Sequence, residues 1–469
     1  MKKSLVALAT LAAATGAFAQ SPNARAITGS NVEIFGVFDA AVTKFTQDGG
    51  GSVLRMQGEG RNESSRLGFR GVEDMGGGWG AGFWLEAGMF VETGAGQNTT
   101  NNNTSAGQSG LSNGTSNATA VPDLPSIGAM QGLTFNRAST VSLINKDIGE
   151  FRLGRDYVPT FWNKTVFDPF GTVGAGAYTN LTYGTLNRYV AVAPPGVPAP
   201  EVRSSNSIGW LSQNMNGLRV QAMYALHEQL SGCTDVKTAA AGANADTGGN
   251  LCQGPNGSGK YTGFRLTYTS GPLTLAAASA TTSYPRVAAV AGTPPVTSGT
   301  VSAYQGDYKD NNFAAAYQLG ATRLLAQMGT QTFGDFQRGY AAGTGYAAGI
   351  ENTTQRTLKN TMLGFTHAMG PWTLKGSLGT AKFTGGQVSY AADRTAPTTN
   401  IEDGAKSKQT AVGAVYDLSK RTALYGTYSR LTTTGKNTVA SMGIGSLTNA
   451  TVGESKTATG IDLGVRHRF

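Results

Sequence analysis

Ile461-Asp462-Leu463-Gly464-Val465-Arg466-His467-Arg468-Phe469 closes the chain, and its two faces differ along the whole stretch. Ile461, Leu463, Val465, His467 and Phe469 fall on one side of an extended backbone. Asp462, Gly464, Arg466 and Arg468 fall on the other, because successive side chains of a strand point to opposite faces. One face suits an apolar solvent and the other suits water. The end of a water-soluble domain usually frays and is polar. An amphipathic strand that runs to an aromatic last residue suits a membrane wall instead.

The opposite end of the chain points the same way. Met1, Lys2 and Lys3 are followed by a compact apolar stretch from Leu5 to Gly16 and by Ala17-Phe18-Ala19 before Gln20. That order of charge, apolar run and small-x-small site reads as an export leader over residues 1–19, leaving 20–469 as the mature domain. The apolar run is too short to cross about 30 Å of hydrocarbon, and no later run reaches about eighteen apolar residues. Mean hydropathy is slightly negative, as expected of strands that alternate between lipid and water. Glycine, 66 of 469 residues, is about twice its usual share of ~7 % and has no collagen period. Net charge is +9, of which Lys2 and Lys3 carry two that leave with the leader. The remaining cations are scattered, with no basic helix or aromatic-rich nucleic-acid motif, so a basic channel wall is expected rather than nucleic-acid binding.

Turns supply the architecture. Tight connections recur at Glu73-Asp74-Met75-Gly76-Gly77, Asn145-Lys146-Asp147-Ile148-Gly149, Asn214-Met215-Asn216-Gly217 and Ser270-Gly271-Pro272. Leu319-Gly320-Ala321, Met369-Gly370-Pro371 and Asp417-Leu418-Ser419-Lys420-Arg421 complete the set. Each carries residues that take positive φ or a fixed bend. Long polar stretches lie between them, at residues 94–129, 231–259, 292–299, 334–352, 385–404 and 432–453. Seven short turns join eight hairpins, which predicts an all-β, 16-stranded antiparallel transmembrane β-barrel with short periplasmic turns and long outer loops. A barrel of that size keeps an aqueous lumen.

Individual strands carry the pattern unequally. Leu218, Val220, Ala222, Tyr224 and Leu226 alternate with Arg219, Gln221, Met223 and Ala225, and Trp372, Leu374, Gly376 and Leu378 alternate with Thr373, Lys375 and Ser377. Trp79, Tyr317, Trp372 and Tyr416 near the short turns suit an interfacial aromatic girdle. Residues 31–44 alternate poorly, with Phe35 and Val37 on the face of Glu33 and Asp39.

Ser65-Arg66-Leu67-Gly68-Phe69-Arg70-Gly71-Val72-Glu73-Asp74, then Gly76-Gly77-Gly78 and Trp84-Leu85-Glu86-Ala87-Gly88, resemble the second and third strands of the trimeric general porins of β-proteobacteria. Phe135-Asn136-Arg137-Ala138 and Leu153-Gly154-Arg155-Asp156-Tyr157 resemble their fourth and fifth strands. Asn206-Ser207-Ile208, Ser419-Lys420-Arg421-Thr422-Ala423-Leu424-Tyr425 and the final Phe extend the likeness over the mature chain. The second outer loop, residues 91–130, is longer than in that family.

The resemblance implies a homotrimer in the outer membrane, in contact with lipid and lipopolysaccharide, with Phe469 read by the barrel assembly machinery. It implies passive diffusion of small hydrophilic solutes and ions, and no cofactor. It also implies that the third outer loop, residues 158–200, folds inward as a constriction; its Phe, Trp and Tyr content suits packing. Facing it, Arg66 and Arg70 (second strand) share the parity of the polar positions. Arg137 (fourth), Arg155 (fifth) and Arg203 (sixth) are further wall candidates, with less clean parity at Arg137. Asp168 is the candidate carboxylate opposite them, and the surplus of cations leans the reading toward anions. A substrate-selective channel, or a surface adhesin on the same barrel, are the alternatives.

Cys233 and Cys252, the only cysteines, share one long outer loop. Export makes a loop-stapling disulfide the expectation; two free thiols remain the alternative, and no histidine lies near to complete a metal site. Three histidines, His227, His367 and His467, form no local hydrolase signature, and no catalytic residue is expected.

Overall fold

A strand that turns an apolar face to hydrocarbon still carries backbone N–H and C=O groups that lipid cannot satisfy, so the strands pair until no edge is left. The computed structural model describes residues 23–97, 130–185, 201–227, 259–283, 301–303, 307–334, 336–339, 350–353, 355–385, 403–438, 440, 442 and 453–469. The expected leader at 1–19 and the Cys233–Cys252 pair lie outside these residues.

Sixteen antiparallel strands form a closed wall. The first half runs β1 (Asn31–Gln47), β2 (in two pieces, Gly51–Gln57 and Arg66–Gly76), β3 (Trp79–Phe90), β4 (Ala138–Asn145), β5 (Gly149–Tyr157), β6 (Arg203–Leu211), β7 (Leu218–Ala225) and β8 (Tyr261–Ser270). The second half runs β9 (Leu273–Thr282), β10 (Tyr308–Leu319), β11 (Thr322–Phe333), β12 (Arg356–Met369), β13 (Trp372–Thr384), β14 (Lys406–Asp417), β15 (Thr422–Thr438) and β16 (Gly453–Arg468). Each strand pairs with its sequence neighbour, and β16 returns to β1, from Val37↔Arg468 to Gln47↔Ala458. Phe469 is the last rung of that seam: its N–H donates to Gly36 O and its own carbonyl accepts from Gly36 N–H, both at 3.1 Å.

The seven short turns all lie at one end. Gly320 and Gly370 take φ of 59° and 58° there, the positive values that two-residue hairpin loops require. Trp372 and Tyr416 pack with ring centroids 4.7 Å apart at the same end, where amphipathic rings suit the lipid boundary. The final strand faces as its alternation predicts. Leu463 is 61 % exposed on the outer surface, and Asp462 is fully buried inside. Outer-loop residues add a small sheet of Val301–Ala303, Phe336–Gly339 and Ile350–Thr353.

The poor alternation of β1 has a local cause. Phe35 faces the lumen and is buried edge-on against Trp84, with centroids 5.2 Å apart. Gly68 leaves its ring the room, since a Cβ there would lie 2.2 Å from it.

Among the described residues, two segments enter the lumen besides the third loop. Between the pieces of β2, residues 58–65 turn inward, held by Asp39, which accepts the amide N–H groups of Arg61, Asn62 and Glu63 at 3.3, 3.0 and 2.7 Å. Asp462 of β16 accepts from Thr43 Oγ1 at 2.7 Å and Arg61 Nε at 3.1 Å. At the short-turn end the segment ahead of β1 is tied to the wall by Arg25, whose Nε and backbone N–H both donate to Glu150 at 2.8 Å.

Candidate pore constriction

The third loop leaves β5 directly as α1 (Pro159–Val166), with Pro at the helix start, where no N–H is needed. Its apolar face docks inward onto the barrel wall. Phe161 and Trp162 pack with Met223, Ala225, Tyr261 and Ala280. Phe167 is fully buried among Ala276, Ala314, Ala316 and Leu325; alternate alanines on the inner faces of β9 and β10 make that pocket. Polar ties fix the same face: Lys164 Nζ meets Asp310 at 2.5 Å, and Arg265 Nε donates to Asn163 at 2.6 Å.

Beyond the helix the loop crosses to β12–β14. Tyr178 and Leu181 join Leu358, Met362, Ala381 and Phe383 in an apolar cluster inside the barrel. Gly364 and Gly379 permit this approach. A Cβ at either would come within 2.5 Å of Pro169 or Leu181. The described part of the loop therefore lies against the β7–β14 side and reaches on to β16, where Ala175 N–H donates to Asp462 at 2.7 Å, opposite the β2–β6 wall.

Asp168 is nearly buried within the loop. Its carboxylate accepts the amide N–H groups of Phe170 at 2.9 Å, Thr172 at 3.0 Å and Tyr178 at 2.8 Å. The group is thereby committed to the loop's own backbone and organises its bend. Burial pushes its pKa up to about 6, against the pull of those N–H groups and of Lys375.

On the opposite wall the structure brings four of the five candidate arginines together. Arg66 contacts Glu63 at 2.5 Å and lies 3.9 Å from Glu86. Arg137 Nε donates to Glu86 at 2.6 Å and its Nη2 to Tyr157 Oη at 2.7 Å. Arg203 Nη2 donates to the same hydroxyl at 2.7 Å, with its guanidinium 4.4 Å from the Tyr157 ring centroid. Arg155 donates to Asn136 O at 2.6 Å and Ser205 Oγ at 2.8 Å. Arg70 stands apart toward the short-turn end, paired with Glu33 at 2.7 Å and 4.9 Å from both the Phe35 and Trp84 rings.

Parity explains part of this. Arg66 and Arg70 lie on the inner face of β2 with Gly68. Arg137 has outward parity relative to Ala138, Thr140 and Ser142, but it precedes β4 and its side chain is free to swing toward Glu86. A bulge between Gly154 and Asp156 resets β5, so Arg155 is buried.

Glu63, Glu86, Tyr157 and Lys375 join the constriction as well, beyond the residues that the sequence singles out. Glu86 lies on the inner parity of β3 with Trp84 and could have been found that way. Glu63 sits on the inward excursion, where Arg468 also reaches it at 2.6 Å. Lys375 on β13 donates to Asn62 at 3.0 Å. Arg66, Arg137, Arg155 and Arg203 thus face two carboxylates, Glu63 and Glu86, and the wall keeps a cationic surplus. Tyr157, Asn136 and Ser205 supply neutral acceptors that hold guanidinium groups in place without cancelling their charge.

A family model described as Gram-negative porin matches residues 4–436. Outer membrane porin protein 32 of Delftia acidovorans is 28 % identical over 472 residues, the whole of both chains. An anion-selective porin from Comamonas acidovorans superposes with a TM-score of 0.60 at 24 % identity, over 94 % of this chain and all of that one. OmpT of Vibrio cholerae does so with a TM-score of 0.52 at 11 % identity, over 95 % and 100 %. A closed sixteen-stranded wall, an inward loop and a charged lumen agree with that match, and the chain belongs to the Gram-negative porin family as a channel of the outer membrane.

Proposed function

We propose that this porin passes small hydrophilic solutes and ions passively, with a preference for anions, as a homotrimer. The observation that carries the preference is the surplus of guanidinium groups over carboxylates on the β2–β6 wall, facing a loop whose own carboxylate, Asp168, is turned into its backbone. A narrow passage between low-dielectric walls strengthens such a field. The name of the Comamonas relative, an anion-selective porin, points the same way. OmpT of Vibrio cholerae has a solved trimer form, which supports the trimeric reading. Phe469, at the end of the closing seam, serves in this reading as the assembly signal, and residues 1–19 as the leader removed on export.

Single-channel recording in planar bilayers under a potassium chloride gradient tests the proposal. The expected reversal potential has the sign of chloride preference, and replacing Arg66 and Arg137 with Ser moves it toward zero. Absence of conductance overturns the channel reading, and a reversal potential of potassium sign overturns the charge argument.

A further inference from the structure

The segment ahead of β1 folds back along the inner wall of the barrel. Arg25 lies there across four neighbouring strands. Its Nη1 donates to Phe83 O at 2.9 Å and Gly71 O at 3.3 Å, its Nη2 to Ser142 Oγ, and its Nε to Glu150 at 2.8 Å. The side chain is 12 % exposed. Two glycines on the inner face of β3 clear the seat. A Cβ at Gly82 would stand 2.8 Å from Arg25 Nη2, and one at Gly80 would stand 3.2 Å from Ile27 Cγ1. Arg152 Nη2 donates to Asn23 O at 3.3 Å. The chain thus runs from Asn23, deeper in the lumen, past Arg25 and Ile27 toward the start of β1.

A charge count on β5 shows what Arg25 adds. Glu150 and Asp156 are both buried on the lumen side, with Arg152 between them. Arg152 Nε and Nη2 hold Glu150 at 2.9 and 3.1 Å, and its Nη1 holds Asp156 at 3.2 Å. One guanidinium shared by two carboxylates leaves an excess negative charge. Arg25 brings the second cation, and its backbone N–H adds a further bond to Glu150 at 2.8 Å. Arg70 and Glu33, further charges at this end, are paired with each other at 2.7 Å.

Position in the lumen gives this balance a function. Glu150 stands five residues before Arg155 on β5, toward the short-turn end. That is about 17 Å along the strand at ~3.3 Å per residue. An anion that leaves the arginine wall along β2–β6 passes Glu150 and Arg25 on its way out. At about 0.1 M salt the Debye length is ~10 Å. An unbalanced carboxylate here would therefore act on ions in the exit and only weakly on those at the constriction.

We propose that residues 23–29 line the exit of the channel and that Arg25 is a specificity-determining residue. It cancels the excess carboxylate of the β5 wall, so that the short-turn mouth does not hold cations behind an anion-attracting constriction. The inference rests on the reading of this chain as an anion-preferring channel. The reversal potential of the unaltered protein tests that reading, whereas the role of Arg25 is read from differences between variants.

Single-channel reversal potentials and current–voltage curves in potassium chloride near ~0.1 M, where screening is incomplete, test the proposal. R25Q is expected to lower the chloride-to-potassium permeability ratio about twofold. It should also make the current rectify, because the uncovered negative charge sits near one mouth only. R25Q/E150Q removes one charge of each sign and is expected to return both readouts to those of the unaltered channel, although the seat of the segment is lost in both variants. R25K keeps the cation and is expected to keep the ratio. A26D leaves Arg25 in place and adds a carboxylate at an exposed position of the same segment. It is expected to shift the ratio in the direction of R25Q, and it carries the test should R25Q fail to give a heat-resistant barrel. An unchanged ratio in R25Q, or in A26D where R25Q does not fold, overturns the proposal. So does an equal shift in R25Q and R25Q/E150Q, which leaves Arg25 a structural role only. A potassium preference of the unaltered channel overturns the anion reading, and the shift produced by R25Q still decides the role of Arg25.

Discussion

Asp168 shows how one carboxyl group can serve a channel without facing it. Its oxygens accept three backbone N–H groups of its own loop, an arrangement that no pattern in Phe167-Asp168-Pro169-Phe170 announces, because it depends on where Thr172 and Tyr178 return. Burial raises its pKa to about 6 from the ordinary 3.8, so the folded protein holds this proton more tightly than the unfolded chain. Its contribution to stability is therefore full below about pH 4 and is lost as the pH rises through about 6. Protonation also removes one negative charge from the lumen. Anion preference is expected to increase on going from pH 7.5 to 5, and D168N to reduce that increase, as read from reversal potentials at the two pH values. The arginines should differ by location. R203S is expected to lower the chloride-to-potassium permeability ratio about twofold. R70S should change it less, because Arg70, toward the short-turn end, is about a third exposed and solvent and salt screen it more.

At the scale of elements, the third loop is held like the core of a soluble protein although it lies inside a channel. Phe167 fills a pocket of alanines, and Leu181 and Pro169 lie against glycines of the wall. Truncating a buried Phe costs about 3–5 kcal/mol. F167A should loosen the loop without opening the barrel, giving larger and noisier single-channel conductance while the heat-resistant electrophoretic mobility of the folded barrel is retained. G379V should act in the same direction, since its Cβ would meet Leu181 Cδ1 at 2.5 Å. The strands and their count were legible in the sequence because period-two alternation and turn chemistry are local properties. The break in β2 was not. Residues 58–65 leave the wall for acceptors on Asp39 and Asp462, remote in the chain, and nothing within Gly58-Glu59-Gly60-Arg61 marks the departure. Arg137 shows the same limit: its parity points outward, and only its place ahead of the first rung of β4 lets it turn to Glu86.

For the whole molecule, the bonds that join its two ends are also its most remote in sequence. Asp462 meets Thr43 and Arg61 across 419 and 401 residues. Glu63 meets Arg468 across 405, and Tyr425 donates to Asp39 across 386. None of them can form while the sheet is still open, and bringing such distant segments together is slow. D462N keeps the shape of the side chain but weakens its grip on Arg61. It is expected to slow the appearance of the heat-resistant form several-fold in a refolding time course, with little effect on the conductance of barrels that do complete. Until the seam zips, the charges later buried at the waist remain in water, which disfavours burying a half-made sheet in the bilayer. The first-to-last charge network thus doubles as a latch: it makes membrane burial and circular completion a single event.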